Sequence, residues 1–309
     1  MCKTNESLNK GRKAKYDEFY AVTEEVQKEI IPYYSKKLNG KKVLCNCNDG
    51  AHRGIVDCLK GNYKLLNLAQ LVFTEYGEAD ENGKAYRYDG EQEYCCELNY
   101  KGDFRYGLSL KLLQMCDVII TGPPYSLFPD FVELLFEYNK EFIIIGDMNS
   151  LTLKRVFPYF RDRKMWLGMT KPNIFTVPNE YEGESVSIGK DGVKRVKRNR
   201  DIWLTNINYD FPKPYIKLTE SFSEKKYSKC DNFDAIYVNT IKEIPMDYKG
   251  VMCVPISFVE CWNYNQFEIL GLSDDDKAVE QYRIKGNEKF DRAYYLGKRK
   301  YPRLLIKQK

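Results

Sequence analysis

The sequence lacks most of the short motifs that indicate a common enzymatic chemistry. It contains a single histidine, His52, which excludes HExxH proteases and metal sites that need two histidines. No GxSxG segment is present to place a nucleophilic serine beside that histidine. The phosphate-binding patterns GxxxxGKS/T and GxGxxG are also absent. The ordinary hydrolase, zinc-protease and dehydrogenase classes are therefore excluded.

The sequence also lacks any long apolar run. Its longest apolar stretches, residues 118–120 and 142–145, have the length of a buried strand and are far too short to cross a bilayer. The first residues, MCKTNESLNKGRKAK, are polar and basic, without the apolar segment of a secretion signal. We therefore expect a cytoplasmic protein that does not bind a membrane.

The ten cysteines do not follow a metal-binding pattern. No CxxC pair occurs, and the CxC formed by Cys45 and Cys47 has no second pair at the spacing of a zinc site. Free cysteine behaves as a small hydrophobic residue, so we expect reduced, partly buried thiols. No metal site is expected.

Positive charge is mild overall, at a net +5, but it is unevenly distributed. Such clusters neutralise phosphates in nucleic-acid-binding proteins, although charge alone equally favours a solvated loop or helix face. One cluster contains Lys194, Arg195, Lys197, Arg198 and Arg200, and a second contains Lys298, Arg299, Lys300 and Arg303.

Short apolar runs alternate with helical patterns in the first half of the chain. Buried strands separated by helices favour a parallel sheet, whose ligands bind beyond the carboxyl ends of the strands. Residues 47–52 and 121–126 follow two such strands, and we expect the active site there. The predicted elements are helix 16–38, strand 41–47, helix 55–60, strand 68–74, a loop or hairpin at 75–96, helix 108–115, strand 116–121, helix 127–138 and strand 141–146.

The pattern changes after about residue 176. Residues 178–200 are rich in Gly, Glu, Lys and Arg and predict an insertion or hairpin, and residues 212–231 are polar and irregular. Strand-like sequence returns at 202–207, 235–238 and 251–255.

Gly122-Pro123-Pro124-Tyr125 is the most informative segment. The prolines stiffen a turn that presents backbone carbonyls to a pocket, and the aromatic ring can stack on a base swung out of a duplex. A hydrogen bond from the exocyclic amine of that base then assists its attack on a sulfonium methyl, without a metal or a covalent nucleophile. A bare PPY turn with a packed tyrosine remains an equal alternative.

Six segments spread over nearly the whole chain extend this pattern. They are KYDEFY (15–20), VLCNCND (43–49), GDFR (102–105), TGPPYSLF (121–128), IWLTN (202–206) and DNFDAIYVNTIKEIPMDYKGVMCVPISF (231–258). Together they resemble the segments DEFYT, CNCDDP, GDFR, TNPPFSLF, WFTN and DNYDAINVNKTKDIPKDYDGVMGVPITF of the EcoRI-type adenine-specific DNA methyltransferases.

The resemblance implies an α/β fold of the class I S-adenosylmethionine-dependent methyltransferases. This is a Rossmann-like, mostly parallel sheet with an inserted DNA-recognition region. It implies S-adenosylmethionine as the cofactor and double-stranded DNA as the partner. We expect a core with both pockets at 1–176, a DNA-contacting insertion at 177–234, and a return to the core with a basic segment at 235–309. The family also raises the prospect of a cognate restriction endonuclease, and a monomer is expected.

The same resemblance implies roles for individual residues. Phe175 is a candidate for the second face of a base sandwich, with a core position favoured, and Asp103 is alternatively a turn or helix N-cap residue. The target-base pocket would contain Gly122, Pro123, Pro124 and Tyr125. The cofactor site would contain Tyr16, Glu18, Phe19, Asn46, Cys47, Asp49, Asp103 and Phe104. Phosphates would contact Lys194, Arg195, Lys197, Arg198 and Arg200.

Two departures from the family pattern bear on activity. Gly122 replaces the expected Asn, so the side-chain acceptor for the adenine amine is missing, and Asn48 and residues 50–52 depart from CNCDDP. Losing one positioned polar group costs on the order of 2–4 kcal/mol in transition-state stabilisation. Three hypotheses follow: an active DNA N6-adenine methyltransferase, a catalytically weak or inactive DNA-binding relative, and a methyltransferase acting on cytosine N4 or RNA adenine.

Overall fold

The computed structural model describes residues 19–48, 50–77, 81–183, 186–208, 213–274, 276–286 and 291–309, with residues 47 and 48 described by their backbone. The chain divides into two compact units. Unit 1 comprises Met1–Ser150 and Met165–Tyr209, and unit 2 comprises Leu151–Lys164 and Asp210–Lys309. Residues 177–209, the first part of the expected insertion, thus belong to unit 1.

The strands of unit 1 are β1 (Tyr20–Ala21), β2 (Lys42–Asn48), β3 (Gln70–Glu75), β4 (Gly83–Tyr88), β5 (Glu93–Leu98), β6 (Val118–Thr121), β7 (Glu141–Asp147), β8 (Trp166–Leu167), β9 (Ile174–Thr176), β10 (Val186–Ile188), β11 (Lys194–Lys197) and β12 (Asp201–Thr205). The strands of unit 2 are β13 (Ile236–Tyr237), β14 (Met252–Pro255), β15 (Phe267–Leu272), β16 (Tyr294–Tyr295), β17 (Lys298–Arg299) and β18 (Arg303–Gln308).

The α-helices are α1 (Thr23–Leu38), α2 (Gly54–Gly61), α3 (Tyr63–Leu66), α4 (Gly107–Met115), α5 (Phe128–Glu137) and α6 (Phe157–Arg161). None of the helices in the described part of the chain is long and apolar enough to span a membrane. The helices predicted at 55–60, 108–115 and 127–138 are confirmed to within a residue or so at each end.

A large mixed sheet forms the centre of unit 1, with strand order β5-β4-β3-β2-β6-β7-β12-β8. Strands β3, β2, β6 and β7 are parallel to one another, as their continuous apolar sequences predict. The outer strands on both sides run antiparallel to their neighbours. The expected mostly parallel sheet is therefore correct only for the centre, since β4 and β5 at one edge and β12 and β8 at the other are antiparallel.

The core of unit 1 lies between this sheet and the first helices. Val26, Ile30, Tyr34 and Leu38 recur at helical spacing on α1, and all four are fully buried. They share one apolar cluster with side chains of β2, β6, β7 and α2. At the sheet's carboxyl edge the parallel strands end in the polar residues Asn48, Glu75, Thr121 and Asp147.

A second, four-stranded antiparallel sheet in unit 1 has the order β1-β9-β11-β10. Here one prediction is wrong: residues 20 and 21 are a strand, and the helix begins only at Thr23. The reason is tertiary, because β1 pairs with β9 and Val22 N–H donates to Ile174 O at 3.3 Å. The hairpin expected within 178–200 is confirmed as β10 and β11.

Unit 2 contains the sheet β13-β14-β18-β15 and the separate hairpin of β16 and β17. The strands predicted at 235–238 and 251–255 are confirmed as β13 and β14, which are parallel. A small apolar cluster that includes Cys230, Phe233, Cys253 and Leu305 is the core of this unit. The cysteines here are free thiols buried as hydrophobic residues.

Candidate active site

The Gly122–Tyr125 turn follows β6 at the carboxyl edge of the large sheet. The buried Thr121 hydroxyl donates to the carbonyl of Asn46, so the end of β6 is tied to the end of β2. Leu127 N–H donates to Pro124 O at 2.9 Å and closes the turn before α5. The two sequence segments expected to form the site are therefore brought together.

Four aromatic rings meet at this turn. The rings of Phe19 and Tyr125 are stacked, with centroids 5.9 Å apart and planes inclined by 25°. Phe175 and Tyr181 contact Phe19 edge-on, at 6.4 Å and 5.8 Å. Phe175 is fully buried in the apolar core, whereas Phe19 is half-buried, so the ring that faces Tyr125 is Phe19.

Arg198 joins these rings to two carboxylates. Its Nε donates to Asp201 Oδ2 at 2.6 Å, and a terminal nitrogen lies 3.5 Å from Asp147 Oδ2. Its guanidinium carbon lies 3.9 Å from the ring centroid of Phe19 and 5.3 Å from that of Tyr125. The Tyr125 hydroxyl donates to Asp201 Oδ1. These five side chains form one network, which we call the Arg198 network.

Burial and charge set the protonation of the Arg198 network. Burial raises the pKa of the fully buried Asp201, and its bonds to Arg198 and Tyr125 oppose that rise. Burial and the nearby Asp201 charge raise the pKa of Tyr125 well above its ordinary value, so its hydroxyl remains a donor. Burial disfavours the charge on Arg198, but the bond to Asp201 raises its pKa overall.

The Asp147–Asp201 pair was not found from the sequence. The two residues are directly opposite each other where β7 ends and β12 begins. The sequence contained one indication of this pair, an acidic residue at each of these strand ends, since ligands bind at the strand ends of such sheets.

The expected cofactor residues that the structure describes lie near the ends of β2 and β3. Asn46 is buried, and its side-chain Oδ1 has no hydrogen-bond partner among the described residues. A Cβ on Gly102 would lie 3.0 Å from Glu75 O, which places the GDFR segment against the end of β3. Asn48 is opposite Glu75 in the sheet register. Glu75 is a further edge residue that the sequence analysis missed.

Asp103 is bound within its own segment, whereas Phe104 packs against α5. The Asp103 carboxylate accepts two guanidinium bonds from Arg105, at 2.9 Å and 2.6 Å. Phe104 is 5% exposed and packs edge-on against Phe131 at 4.9 Å. Cys47 lies within β2. Tyr16, Glu18 and Asp49 lie outside the described residues.

Gly122 borders a narrow pocket that is also lined by Phe19, Tyr20, His52 and Ile55. The rings of Tyr20 and His52 are stacked there, with centroids 5.1 Å apart. A Cβ added to Gly122 would meet no heavy atom closer than 3.9 Å. The packing therefore does not require a glycine at this position.

The basic residues of 194–200 have different surroundings. Lys194 Nζ donates to backbone carbonyls of Asn179 and Tyr181, and Arg195 forms a two-bond ion pair with Asp191 at 2.9 Å and 2.6 Å. Lys197 is exposed, and Arg200 donates to Asn149 Oδ1 at 2.6 Å. Arg198 alone among the five belongs to the Arg198 network.

This arrangement of a large mixed sheet with a proline turn at the carboxyl edge of its parallel centre is consistent with an α/β methyltransferase. The family model described as adenine-specific methyltransferase EcoRI matches residues 7–309. The chain belongs to this family. No solved structure gives a significant match.

Three relatives match over nearly their whole length. The type II methyltransferase M.EcoRI of Escherichia coli is 34% identical over 334 residues, covering 99% of this chain and 97% of the relative. M.MgeORF184P of Mycoplasma genitalium is 32% identical over 314 residues, covering 97% and 98%. M.MpnI of Mycoplasma pneumoniae is 32% identical over 316 residues, covering 98% of both chains.

Proposed function

We propose that the protein transfers a methyl group from S-adenosylmethionine to the N6 amine of an adenine swung out of double-stranded DNA. One observation carries the proposal: the Gly122–Tyr125 turn and the Asn46 strand end lie side by side, tied through Thr121. A base held at the turn would thus adjoin a cofactor held at the end of β2. Family membership supports adenine as the base and DNA as the substrate.

The chain's own residues would hold the base in two ways. Tyr125 stacks on one face of the flipped adenine, and Phe19 is placed to contact it from the same cluster of rings. The Pro124 carbonyl is used inside the turn, so we assign acceptance of the adenine amine to the Pro123 carbonyl. Phe175 is assigned a supporting position behind Phe19 and not a face of the base site.

Asp201 and Arg198 act in this proposal as positioning residues. The Asp201 carboxylate accepts from the Tyr125 hydroxyl and fixes the rotation of the ring. Arg198 compensates the charge of Asp201 and covers Phe19. A ring held in advance loses less freedom when a base binds.

The described residues fit the proposed cofactor. The unpartnered Oδ1 of the buried Asn46 is an acceptor at the end of β2, where class I methyltransferase folds would bind it. Phe19, Cys47, Asp103 and Phe104 would surround it, with Tyr16, Glu18 and Asp49 from segments outside the description. The Glu75 carboxylate, which accepts from the Tyr86 hydroxyl at 3.0 Å, is assigned as an acceptor for ribose hydroxyls. S-adenosylmethionine supplies an electrophilic methyl group when it is bound.

Phosphate contacts are assigned to the segment 194–200. Lys194, Arg195, Lys197 and Arg200 are the members that do not support Tyr125, and Lys197 and Arg200 are exposed. Arg198, which the sequence analysis grouped with them, is assigned to the pocket because of its bonds to Asp201.

A catalytically weak or inactive DNA-binding protein is the second candidate, because Gly122 removes the side-chain acceptor of the family motif. Substitution by Asn tests the difference directly. Since a Cβ at this position meets ordinary contacts only, we expect the Gly122→Asn variant to fold as the parent does. If the acceptor is the only missing part, the variant transfers methyl groups about 10²–10³-fold faster.

The test is transfer of tritiated methyl groups to mixed-sequence duplex DNA by the wild type and by Gly122→Asn. Label in both supports an active enzyme, and label only in the variant supports the weak relative. Nucleoside analysis of the product separates N6-methyladenine from N4-methylcytosine, and an RNA substrate tests the remaining alternative. Absence of label in both, together with absence of calorimetric binding of S-adenosylmethionine, would contradict the proposal.

A further inference from the structure

A tight hairpin in unit 2 carries an exposed leucine at its tip. Strands β16 and β17 are joined by Leu296 and Gly297, whose φ angles are +52° and +67°. Two positive φ angles in a two-residue loop are typical of the type I′ turn, for which Asn-Gly is the preferred sequence. Leucine in the left-handed region costs free energy, because its Cβ lies too close to the following carbonyl oxygen. Because Leu296 is 72% exposed, burial within this chain does not offset that cost.

The tip is held firmly by the adjacent chain. The Asp231 carboxylate accepts from Leu296 N–H at 3.2 Å and from Gly297 N–H at 2.8 Å. Asp231 N–H donates to Tyr294 O at 2.9 Å, and Tyr294 N–H donates to Asn232 Oδ1 at 2.8 Å. The leucine is therefore presented to solvent in a fixed conformation.

The hairpin is rich in basic and aromatic residues, and one of its cations, Arg299, is paired with Asp291. Residues 294–301, YYLGKRKY, contain three consecutive cations and no acidic residue, and Tyr301 is 89% exposed. The rings of Tyr237 and Tyr295 are stacked at 4.0 Å, and Lys300 Nζ lies 5.5 Å from each ring centroid. These three residues line a cavity of about 210 Å³ together with Lys226, Tyr227, Asn239 and Glu243.

We propose that this hairpin, residues 294–301, is a DNA-contacting element of unit 2. A two-stranded ribbon fits the major groove, and apolar side chains at such tips contact bases or enter between them. Leu296 makes the groove contact, while Lys298 and Lys300 neutralise phosphates. The inference rests on the proposed function in taking duplex DNA as the partner.

The decisive variant is Leu296→Asn, because the two roles predict the same thermal stability but different duplex affinity. If the hairpin is only structural, Asn-Gly suits the turn and every property stays equal or improves. If Leu296 contacts DNA, we expect thermal stability equal to or above wild type and duplex affinity about tenfold weaker, the equivalent of one exposed leucine contact. Equal affinity of variant and wild type would overturn the groove contact.

A second experiment measures charge. The Lys298→Gln, Lys300→Gln double variant should lower the slope of log affinity against log salt by about 2, or about 0.9 for each phosphate contact. Lys217→Gln is the matched control. Lys217 is exposed. Its neighbour Ile216 donates its N–H to the Gln266 side chain. The Gln266 backbone carbonyl accepts from the N–H of Lys309, which lies just beyond the far end of β18. The salt slope of the Lys217→Gln variant should equal that of the wild type.

These measurements separate the inference from the proposed function. Wild-type protein that methylates DNA, with unaltered affinity and slope in all hairpin variants, contradicts the inference and leaves the function standing. Protein that binds duplex DNA through the hairpin but transfers no label contradicts the function alone. Binding of the hairpin to anionic vesicles in place of DNA overturns the inference and assigns a membrane partner.

Discussion

At the scale of single residues, Arg198 shows how position changes the role of a charge. It lies in a run of five cations, yet its guanidinium contacts Phe19 and bonds to the fully buried Asp201. Arg195, three residues earlier, pairs with Asp191 on the surface. An exposed ion pair contributes little to stability, whereas a buried carboxylate left without its partner is costly.

Truncation of these two arginines should therefore have unequal effects. We expect Arg198→Ala to lower the free energy of unfolding by about 3–5 kcal/mol, because Asp201 and Asp147 would face each other without compensation. Arg195→Ala should lower it by less than about 1 kcal/mol. Urea unfolding followed by circular dichroism measures both, and losses of similar size would show that Asp201 is not held by Arg198.

At the scale of secondary-structure elements, α1 is fixed by a buried acidic residue. The Glu29 carboxylate accepts from the backbone N–H groups of Met169 and Thr170, at 2.8 Å and 2.6 Å, and from the Thr170 hydroxyl at 2.5 Å. Glu25, one turn earlier, accepts from Asn173 N–H at 3.1 Å. These bonds hold the segment leading into β9, the strand that pairs with β1 beside Phe19.

Burial raises the pKa of Glu29 from its ordinary value of 4.5, although four hydrogen bonds oppose the rise. A carboxyl group with a raised folded-state pKa contributes stability that is complete below the unfolded pKa and is lost as pH rises through the folded pKa. The wild-type free energy of unfolding should include such a decline above about pH 4.5, and Glu29→Gln should lack it.

At neutral pH we also expect Glu29→Gln to be less stable by about 1–3 kcal/mol, since the amide nitrogen that replaces one carboxylate oxygen cannot accept the bonds made to that oxygen. Glu24→Gln, at an exposed position of the same helix, is the control for loss of charge. Denaturant unfolding at a series of pH values measures both effects. A parallel pH dependence of wild type and Glu29→Gln would refute the prediction.

At the scale of the whole molecule, each unit has its own core and its own candidate contact with the substrate. Unit 1 contains the carboxyl edge with Asn46 and the Gly122–Tyr125 turn. Unit 2 contains the 294–301 hairpin. Chemistry on the base and part of the contact with the duplex are thus assigned to different units.

Binding of S-adenosylmethionine should therefore stabilise unit 1. At a concentration of one hundred times its dissociation constant, a ligand stabilises the state that binds it by about 2.7 kcal/mol. Hydrogen-exchange mass spectrometry should show slower exchange in unit 1 peptides that contain Asn46 and Asp103. Peptides from the 294–301 hairpin serve as the internal control, and protection confined to them would contradict the assignment of the cofactor edge.

Much of unit 1 was predictable because its strands are buried on both faces. Residues 141–146, EFIIIG, predict a strand without any partner being known, and they form most of β7. By contrast, β1 is two residues long and exists only because β9, more than 150 residues later, supplies its partner. The Asp147–Asp201 pair was unpredictable for the same reason, because the register between β7 and β12 decides which residues are opposite each other.

The sequence by itself determined the family, the succession of the central strands and helices along the chain, and the proline turn to which the base is assigned. Those features depend on local apolar patterns and on motifs that are contiguous in the chain. Only the tertiary structure decided that Phe19 and not Phe175 faces Tyr125, that Arg198 turns inward to Asp201, and that Gly122 has room for a side chain. Each of these depends on distances between residues far apart in sequence, and a linear pattern contains no such distances.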